Sequence, residues 1–177
     1  MSQLEIPVCR FCHELSSLRV KRFFSAISKI GDGHYWYVGL GLLLLTQGAA
    51  ALPAFVHLLT VGLLCHVLYK SLKRRTARLR PADFAADGFQ LTVPPLDKYS
   101  FPSGHTLHAV AFAIVLTAYL PAAGWLVVPF AVLVALSRLV LALHYPTDVA
   151  AGALLGALLA ASSFHLSTFQ ALAESAF

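Results

Sequence analysis

Long apolar runs dominate this chain and most restrict the folds open to it. Five runs approach the roughly 20 residues that a helix needs to cross the hydrocarbon core of a bilayer. These runs cover residues 35–51, 54–72, 103–120, 123–143 and 147–166. Of the 177 residues, 58% are hydrophobic and only 12% are charged, a composition too apolar for a soluble domain. The sequence therefore predicts an all-α, polytopic helical membrane bundle of five transmembrane helices.

The N-terminal part differs because cations alternate with apolar side chains. Between Val8 and Ile30, five Lys and Arg residues interleave with Phe, Leu and Ile, a pattern typical of a helix at the membrane interface. A sixth crossing is the alternative, but each cation would cost several kcal/mol near the bilayer centre. We therefore divide the chain into an amphipathic interfacial segment, 1–34, and a transmembrane domain, 35–177. No cleaved signal peptide is expected, because the segment lacks a long apolar core.

Short features predict how the apolar runs connect and pack. Pro53 separates the first two runs, which predicts a helical hairpin, and the Pro-Ala-Ala-Gly sequence at 121–124 predicts a tight turn between the third and fourth. Gly152 and Gly156 lie four residues apart in the fifth run, a spacing that favours close helix packing.

Three polar motifs lie beside the ends of the apolar runs, the first of them in a polar stretch at 73–101. The motif residues are Lys73 with Arg80-Pro81, Pro102-Ser103-Gly104-His105, and Ser137-Arg138 with His144 and Asp148. In a five-span bundle all three motifs fall on one side of the membrane. Fixed cations, a helix start and two histidines with a carboxylate are what metal-free phosphoryl transfer through a phosphohistidine requires.

The motifs resemble those of the type 2 phosphatidic acid phosphatases, a family that includes bacterial acid phosphatases and vanadium haloperoxidases. The family pattern is K-x6-R-P, P-S-G-H and S-R-x5-H-x3-D, and the chain matches every position between Lys73 and Asp148. Residues 1–70 resemble the family only in being hydrophobic. The resemblance implies a bacterial membrane phosphatase that acts on lipid phosphates.

The resemblance, together with the residue types, gives each motif residue an expected role. His144 is the expected nucleophile, Asp148 holds its other ring nitrogen, and His105 is the expected general acid. The expected phosphate-binding residues are Lys73, Arg80, Ser103, Gly104 and Arg138. We expect neither a metal nor a cofactor, because the motifs supply three fixed cations and only one carboxylate.

Helix geometry adds two expectations about the motifs. The Ser103 side chain is expected to cap the third span, which leaves backbone N–H groups near Gly104 facing the phosphate. Lys73 and Arg80 are seven residues apart, so they share one helix face if the helix continues as far as Pro81.

Other Cys and His residues carry weaker signals. Cys9-x-x-Cys12-His13 spells a haem-attachment motif or half of a zinc site, but no second cysteine pair or soluble domain accompanies it, which favours a chance match. His57 and His66, in the second run, are more typical of packed helix residues than of proton carriers. His108 lies one turn after His105, so it either lines the site or packs beside it.

Charge predicts the orientation of the bundle. All 13 Lys and Arg residues fall on the motif side of the five-span bundle, and the positive-inside rule makes that side cytoplasmic. Many bacterial family members similar to this chain instead face the periplasm. We expect a multi-pass protein of the bacterial inner membrane whose site faces the cytoplasm.

The expected partners are the bilayer and a membrane lipid phosphate, because a phosphate site at the bilayer surface selects phosphates tethered at that depth. Candidates are undecaprenyl diphosphate, which a periplasmic site favours, phosphatidylglycerophosphate, which a cytoplasmic site favours, and phosphatidate. The net charge of +5 suits an anionic membrane surface and does not indicate nucleic acid. The sequence leaves the oligomeric state open.

Two other functions remain open from the sequence. A lipid phosphotransferase would use the same phosphohistidine but pass the phosphoryl group to a second lipid instead of water. A non-catalytic protein that binds or transports lipid phosphates would tolerate loss of His105 and His144, yet both are present. The haloperoxidase branch is disfavoured because those proteins are soluble.

Overall fold

The computed structural model describes residues 2–84, 89, 94 and 97–166, so the polar stretch 73–101 is described only in part. The helices of the described residues are α1 (Ser2–Glu14), α2 (Leu18–Ile30), α3 (Gly33–Gln47), α4 (Leu52–Thr76), α5 (Pro81–Phe84), α6 (Gly104–Tyr119), α7 (Gly124–Val140) and α8 (Pro146–Ser163). Short 3-10 turns at Gly48–Ala51 and Pro121–Ala123 lead into α4 and α7. The all-α prediction is confirmed for this part of the chain.

Three helical stretches are long and apolar enough to cross a membrane by length and composition. They are Gly33–Asp83, which contains both α3 and α4, Pro121–Val140 and Pro146–Ser163. The apolar helix α6 is slightly shorter, with 16 residues. The fourth predicted run reached residue 143, but α7 ends at Val140 because the chain turns out of the helix, and Ala142 takes a φ of 53°.

α3 and α4 follow each other as predicted, but the chain turns at Gly48 rather than at Pro53. Gly48 has a φ of 60°, which a residue without Cβ adopts easily. Pro53 lies in the first turn of α4, where its missing N–H leaves no hydrogen bond unmade. The start of α3 and the middle of α4 meet where Tyr37 packs against Gly62.

α4 ends before the first motif is complete. Ala77 takes the left-handed conformation with a φ of 45°, and its N–H donates to the Lys73 carbonyl. The helix therefore does not continue to Pro81, and the condition for Lys73 and Arg80 to share a helix face is not met. The non-helical residues 77–80 place Arg80 instead.

α6 lies at the centre of the bundle and packs against α4, α7 and α8. The main core consists of apolar side chains from α3, α4, α6 and α8, among them Leu58, Val61, Leu107, Phe112 and Val115. At the end remote from the motifs, His57 hydrogen-bonds the Tyr119 hydroxyl at 3.1 Å and the Ser163 hydroxyl at 2.7 Å. His57 therefore joins α4 to α6 and α8 as a packed residue.

Close packing of α8 through its glycines is confirmed. A Cβ at Gly152 would lie 2.6 Å from the Ser103 carbonyl oxygen, and one at Gly156 would lie 2.4 Å from that of Leu107. Both contacts are with α6 backbone or its first flanking residue, which cannot move as a side chain can. The two glycines therefore set how closely α8 approaches α6.

Gly156→Val is expected to lower stability by at least about 1–3 kcal/mol, because the new side chain must push α6 and α8 apart. Thermal unfolding of the purified protein in detergent measures the effect. The matched control is Gly39→Val, since a Cβ at Gly39 in α3 meets nothing within 4 Å. Equal melting temperatures for Gly156→Val and the wild type would contradict this packing argument.

The N-terminal segment forms two helices, not the single interfacial helix that its pattern predicted. The break falls at Leu15–Ser17, where the Ser17 hydroxyl accepts a hydrogen bond from the Val20 N–H at 3.4 Å and caps α2. Both α1 and α2 pack against α7. The connection at 31–33 then enters α3 at the end of the bundle where the motifs lie.

Candidate active site

A cavity of about 350 Å³ opens at the motif end of the bundle. The motif residues that line it are Lys73, Arg80, Gly104, His105, Arg138 and His144. The other lining residues are Gly31, Asp32, Gly33, His34, Tyr37, His66, Tyr69, Asp97 and His108. Two predicted site residues, Ser103 and Asp148, are fully buried and are not among the lining residues. The structure thus brings the three separate motifs to one place.

His144 lies in the connection between α7 and α8. Its Nε2 atom is 3.3 Å from Nη1 of Arg80, and since a guanidinium only donates, Nε2 acts as the acceptor. The ring hydrogen is then assigned to Nδ1, which lies 3.6 Å from Oδ2 of Asp148. That distance exceeds a hydrogen bond, and among the described residues Nδ1 has no hydrogen-bond partner.

The electrostatic surroundings keep the His144 ring neutral. Burial lowers the pKa of His144 well below its ordinary value, and the nearby cations, Arg138 and Arg80, lower it further. A neutral imidazole has a free electron pair on one nitrogen, which is the form that attacks an electrophile. The lowered pKa of His144 therefore favours the ring form with a free electron pair on Nε2.

Asp148 belongs both to α8 and to the site. Its Oδ2 accepts a hydrogen bond from the Tyr145 N–H at 2.9 Å, which caps the first turn of α8. Its Oδ1 accepts a hydrogen bond from Nη1 of Arg78 at 2.6 Å. The capping bond explains why a carboxylate four residues after His144 turns back toward the ring.

Arg138 is the cation that most needs an anion. Its side chain is at the end of α7, only 3% of the residue is exposed, and it donates from Nη1 to the Ser28 hydroxyl. Its Nε has no hydrogen-bond partner, and no ion pair involves it among the described residues. Since a buried guanidinium without an anion is costly, the cavity suits a negatively charged ligand.

Lys73 and Arg80 are already paired with a carboxylate that the motifs do not contain. Asp97 accepts hydrogen bonds from Lys73 Nζ at 2.7 and 2.8 Å and from Arg80 Nη2 at 2.7 Å. The expectation of a single carboxylate at the site is wrong, because two carboxylates outside the motifs, Asp97 and Asp32, line the cavity, while Asp148 lies buried behind His144. The only sequence signal for Asp97 was its place in the polar stretch, six residues before Ser103.

The second motif forms the start of α6. Ser103 occupies the N-cap position, but its hydroxyl hydrogen-bonds Thr106 Oγ1 at 2.9 Å and caps no N–H group, so that expectation is wrong. Gly104 lets the Tyr69 ring approach, since a Cβ there would lie 3.3 Å from the ring. His108 lines the cavity and its Nδ1 also lies 2.9 Å from the Gly104 carbonyl oxygen, so both readings of this histidine hold.

The cysteine motif in α1 serves packing. Cys9 is buried and its thiol lies 3.9 Å from the His144 carbonyl oxygen, while burial raises its pKa to about 12. His13 Nδ1 lies 3.1 Å from the Val140 carbonyl oxygen. Both side chains therefore seat α1 on the connection that carries His144. Among the described residues no group of three or more His, Cys, Asp or Glu is arranged to hold a metal.

Two further charged residues at the site escaped sequence reasoning. Arg78 lies within the variable part of the first motif, and its guanidinium reaches both Asp148 and Glu5 of α1. Nothing in the sequence links Glu5 to Asp148, which lies 143 residues later. Only the folded chain shows that Arg78 connects these two carboxylates.

Comparison with known proteins agrees with the fold and the motifs. The model of the PAP2 superfamily matches residues 50–171. The chain is 34% identical over 131 residues to an undecaprenyl-diphosphatase of Sulfolobus acidocaldarius, covering 73% of this chain and 62% of that protein. It is 37% identical over 133 residues to a decaprenylphosphoryl-5-phosphoribose phosphatase of Mycolicibacterium smegmatis, covering 72% of this chain and 68% of that protein.

A solved structure shares the fold. The transmembrane PAP2 type phosphatidylglycerolphosphate phosphatase of Bacillus subtilis superposes with a TM-score of 0.74 over 91% of this chain and 83% of that one, at 24% identity. This chain is accordingly an integral membrane protein with several helical spans. The match to the family model covers more than half of the chain, including all three motifs, and the chain therefore belongs to the PAP2 superfamily.

Proposed function

We propose that this chain is a membrane lipid phosphatase that works through a phosphohistidine on His144. The observation that carries the proposal is the meeting of three cations, Lys73, Arg80 and Arg138, with the unprotonated Nε2 of His144 at one cavity. Fixed cations stabilise the charge that spreads over the equatorial oxygens during phosphoryl transfer. Arg138, which has no ion pair among the described residues, is the first binding partner for the phosphate.

In the first step, Nε2 of His144 forms a bond to phosphorus while the bond from phosphorus to the leaving oxygen breaks. His105, in the first turn of α6, donates a proton to that oxygen, so the alcohol or phosphate leaves neutralised. Asp148 faces Nδ1 and offsets the positive charge that the ring gains. In the second step, His105 takes a proton from water, which attacks phosphorus and releases His144 and inorganic phosphate.

The substrate class follows from where the cavity lies. The ends of apolar helices surround it, so a phosphate or diphosphate carried by a lipid reaches it at the bilayer surface. We propose undecaprenyl diphosphate, phosphatidylglycerophosphate, phosphatidate and decaprenylphosphoryl-5-phosphoribose as the panel to test. The named relatives support polyprenyl and glycerol lipid phosphates alike.

Phosphate release from this panel by the purified chain in detergent tests the proposal. Activity is expected to persist with excess chelator, because the Asp97 carboxylate is neutralised by Lys73 and Arg80 rather than free for a metal. Orthovanadate is expected to inhibit, since its five-coordinate form resembles the in-line transition state. Arg138→Ala is expected to lose activity, whereas Arg75→Ala, an exposed change at the same end of the bundle, is the matched control.

Each other outcome points elsewhere. Strict dependence on an added divalent ion would overturn the metal-independent mechanism. Transfer of the phosphoryl group to a second lipid, seen by product analysis, would make the protein a phosphotransferase. Binding of lipid phosphate without any turnover would make it a binding or transport protein.

The placement of the N-terminal helices supports five spans with an interfacial segment at 1–34. Glu5 of α1 contacts Arg78 and Thr147, and Asp32 lines the same cavity, so both ends of the segment lie at the motif end. α2 has 13 residues, four of them Lys or Arg, and these cations would be costly near the centre of the bilayer. The spans are then α3, α4, α6, α7 and α8.

Cysteine labelling tests this topology and its orientation. A cysteine at Ala86, in the polar stretch, would report the side on which the motifs lie, but Ala86 is outside the described residues. The exposed residue Lys98, in the same stretch, is therefore the better labelling position. In a chain whose native cysteines are replaced by alanine, Lys98→Cys and Arg10→Cys are expected to be shielded from an impermeant reagent in spheroplasts. Ala122→Cys, in the turn at the opposite end, is expected to be labelled.

The other patterns are equally informative. Labelling of Lys98→Cys but not of Ala122→Cys would place the site on the periplasmic face and favour undecaprenyl diphosphate. Opposite labelling of Lys98→Cys and Arg10→Cys would mean that the N-terminal segment crosses the membrane, which gives six spans.

A further inference from the structure

The first turn of α8 receives a cap from a distant helix. Oε1 of Glu5, in α1, accepts a hydrogen bond from the Thr147 N–H at 2.9 Å, and its Oε2 accepts one from the Thr147 hydroxyl at 2.9 Å. The first N–H groups of a helix have no partner within it and favour a negative charge. Glu5 therefore stabilises the same helix start that Asp148 caps from within.

Arg78 joins these two carboxylates. Its Nη1 donates to Asp148 Oδ1 at 2.6 Å and its Nη2 donates to Glu5 Oε2 at 2.5 Å, so each arm of the planar fork holds one carboxylate. The guanidinium also stacks over the Tyr145 ring, with its carbon 4.0 Å from the ring centroid. Contacts therefore fix both the plane of the Arg78 guanidinium and the positions of its two terminal nitrogens.

These contacts decide which way the Asp148 carboxylate faces. With Oδ1 held by Arg78 and Oδ2 held by the Tyr145 N–H, the group cannot rotate, and Oδ2 is the oxygen 3.6 Å from His144 Nδ1. Without Glu5, Arg78 would lose one of its two carboxylate partners. One of the two carboxylate contacts that fix the guanidinium would be gone, so the Asp148 oxygen that it holds would also be less closely fixed.

The Glu5 carboxylate is suited to this task. Burial alone would raise its pKa, but hydrogen bonds from Thr147 and Arg78 hold the pKa below its ordinary value. Both partners are shielded from water, since the side chains of Arg78 and Glu5 are 16% and 14% exposed. The pair is therefore screened much less than a surface ion pair.

We infer that α1 is a strap across the connection that carries His144, in which Glu5 acts through Arg78 as a positioning residue for Asp148 and His144. This inference rests on the proposed phosphohistidine mechanism and extends it to a helix outside all three motifs. Cys9 and His13 seat the rest of α1 on the carbonyl groups of His144 and Val140, so the strap is anchored on both sides of the nucleophile.

The test uses full-length variants of both residues. Glu5→Gln keeps the shape and an oxygen for the Thr147 N–H but removes the charge, and Arg78→Lys keeps the charge but cannot reach two carboxylates at once. Each variant is expected to lower kcat roughly 10–100-fold, because a small misplacement of a reacting group is enough for such a loss. KM and competitive inhibition by inorganic phosphate are expected to change less than about threefold, since Lys73, Arg80 and Arg138 are untouched.

Coupling between the two residues separates positioning from general loss of structure. The double variant is expected to lose no more kcat than the worse single variant, because both changes break the same chain of contacts. Glu14→Gln is the matched control, since Glu14 is an exposed residue of α1 whose ion pair with Arg10 spans 3.9 Å. Its kcat and melting temperature are expected to equal those of the wild type.

Chemical modification gives a readout that does not depend on turnover. Diethylpyrocarbonate acylates neutral imidazole nitrogens, and peptide mapping by mass spectrometry reports the rate at His144. Glu5→Gln is expected to change this rate severalfold relative to Glu14→Gln. If the wild-type protein has no phosphatase activity but Glu5→Gln still changes the modification rate of His144, the strap is supported and the proposed function is overturned.

Two outcomes overturn the strap. One is an active wild type whose Glu5→Gln variant keeps its kcat and its His144 modification rate. The other is a melting temperature that falls in Glu5→Gln while kcat per folded molecule stays unchanged, which would make Glu5 a purely structural cap of α8.

Discussion

His144→Ala is expected to abolish phosphate release, with a loss of at least about 10⁴-fold, because the proposed bond to phosphorus forms on its Nε2 atom. His105 lines the same cavity but is the proposed proton donor, and Lys73 is held by Asp97. Rapid acid-free quenching of the wild type during turnover should trap phosphate on the protein that is stable to base and labile to acid. The variant should trap none.

His165→Ala is the matched control for this experiment. His165 is exposed and follows α8 at the end of the bundle remote from the motifs, so its loss should leave turnover unchanged. Substantial hydrolysis by purified His144→Ala would remove His144 from the nucleophile role. Trapped phosphate that survives in His144→Ala would assign the covalent step to another residue.

Asp148→Asn is expected to lower turnover by about two to four orders of magnitude. The amide keeps the shape and an oxygen that can accept from the Tyr145 N–H, so the cap of α8 survives. It loses the negative charge that faces Nδ1 of His144 and offsets the cationic ring. Arg78 retains Glu5 as a partner, so thermal unfolding should change little.

Steady-state kinetics and thermal unfolding on the same preparations check this prediction, with exposed Asp83→Asn as the control. A variant with full turnover would leave Asp148 as a helix cap alone. If Asp148→Asn unfolds, Asp148→Glu replaces it as the test. Asp148→Glu keeps the charge, so we expect it to be as stable as the wild type while its turnover stays lower.

The sequence was most informative where the chemistry depends on residue types in a fixed order. The motif with Arg138, His144 and Asp148 placed the junction of α7 and α8 within about three residues, because polar side chains interrupt two apolar runs there. Long apolar runs located α3, α4, α6, α7 and α8 within a few residues. These signals depend only on residues close together in the chain, so they can be recognised without knowledge of the fold.

The errors arose where a few backbone dihedrals outweighed the pattern. The left-handed residue Ala77 ends α4 before Arg80, and Gly48 turns the chain before Pro53. The serines at 16–17 divide the amphipathic N-terminal segment into two helices, although its apolar periodicity continues through the break. A single residue in an unusual backbone conformation changes the direction of the chain that follows. The spacing of hydrophobic residues carries no signal of such a conformation.

The sequence by itself determined the membrane setting, the helical class and the motif side chains that meet at the cavity, because burial in lipid demands apolar side chains and a polar site interrupts them. Only the tertiary structure decided which charges pair. Asp97 bridges Lys73 and Arg80, and Glu5 reaches Asp148 through Arg78, across separations that no local pattern encodes. Ion pairs form between groups that packing brings within a few ångströms, so they depend on the whole fold.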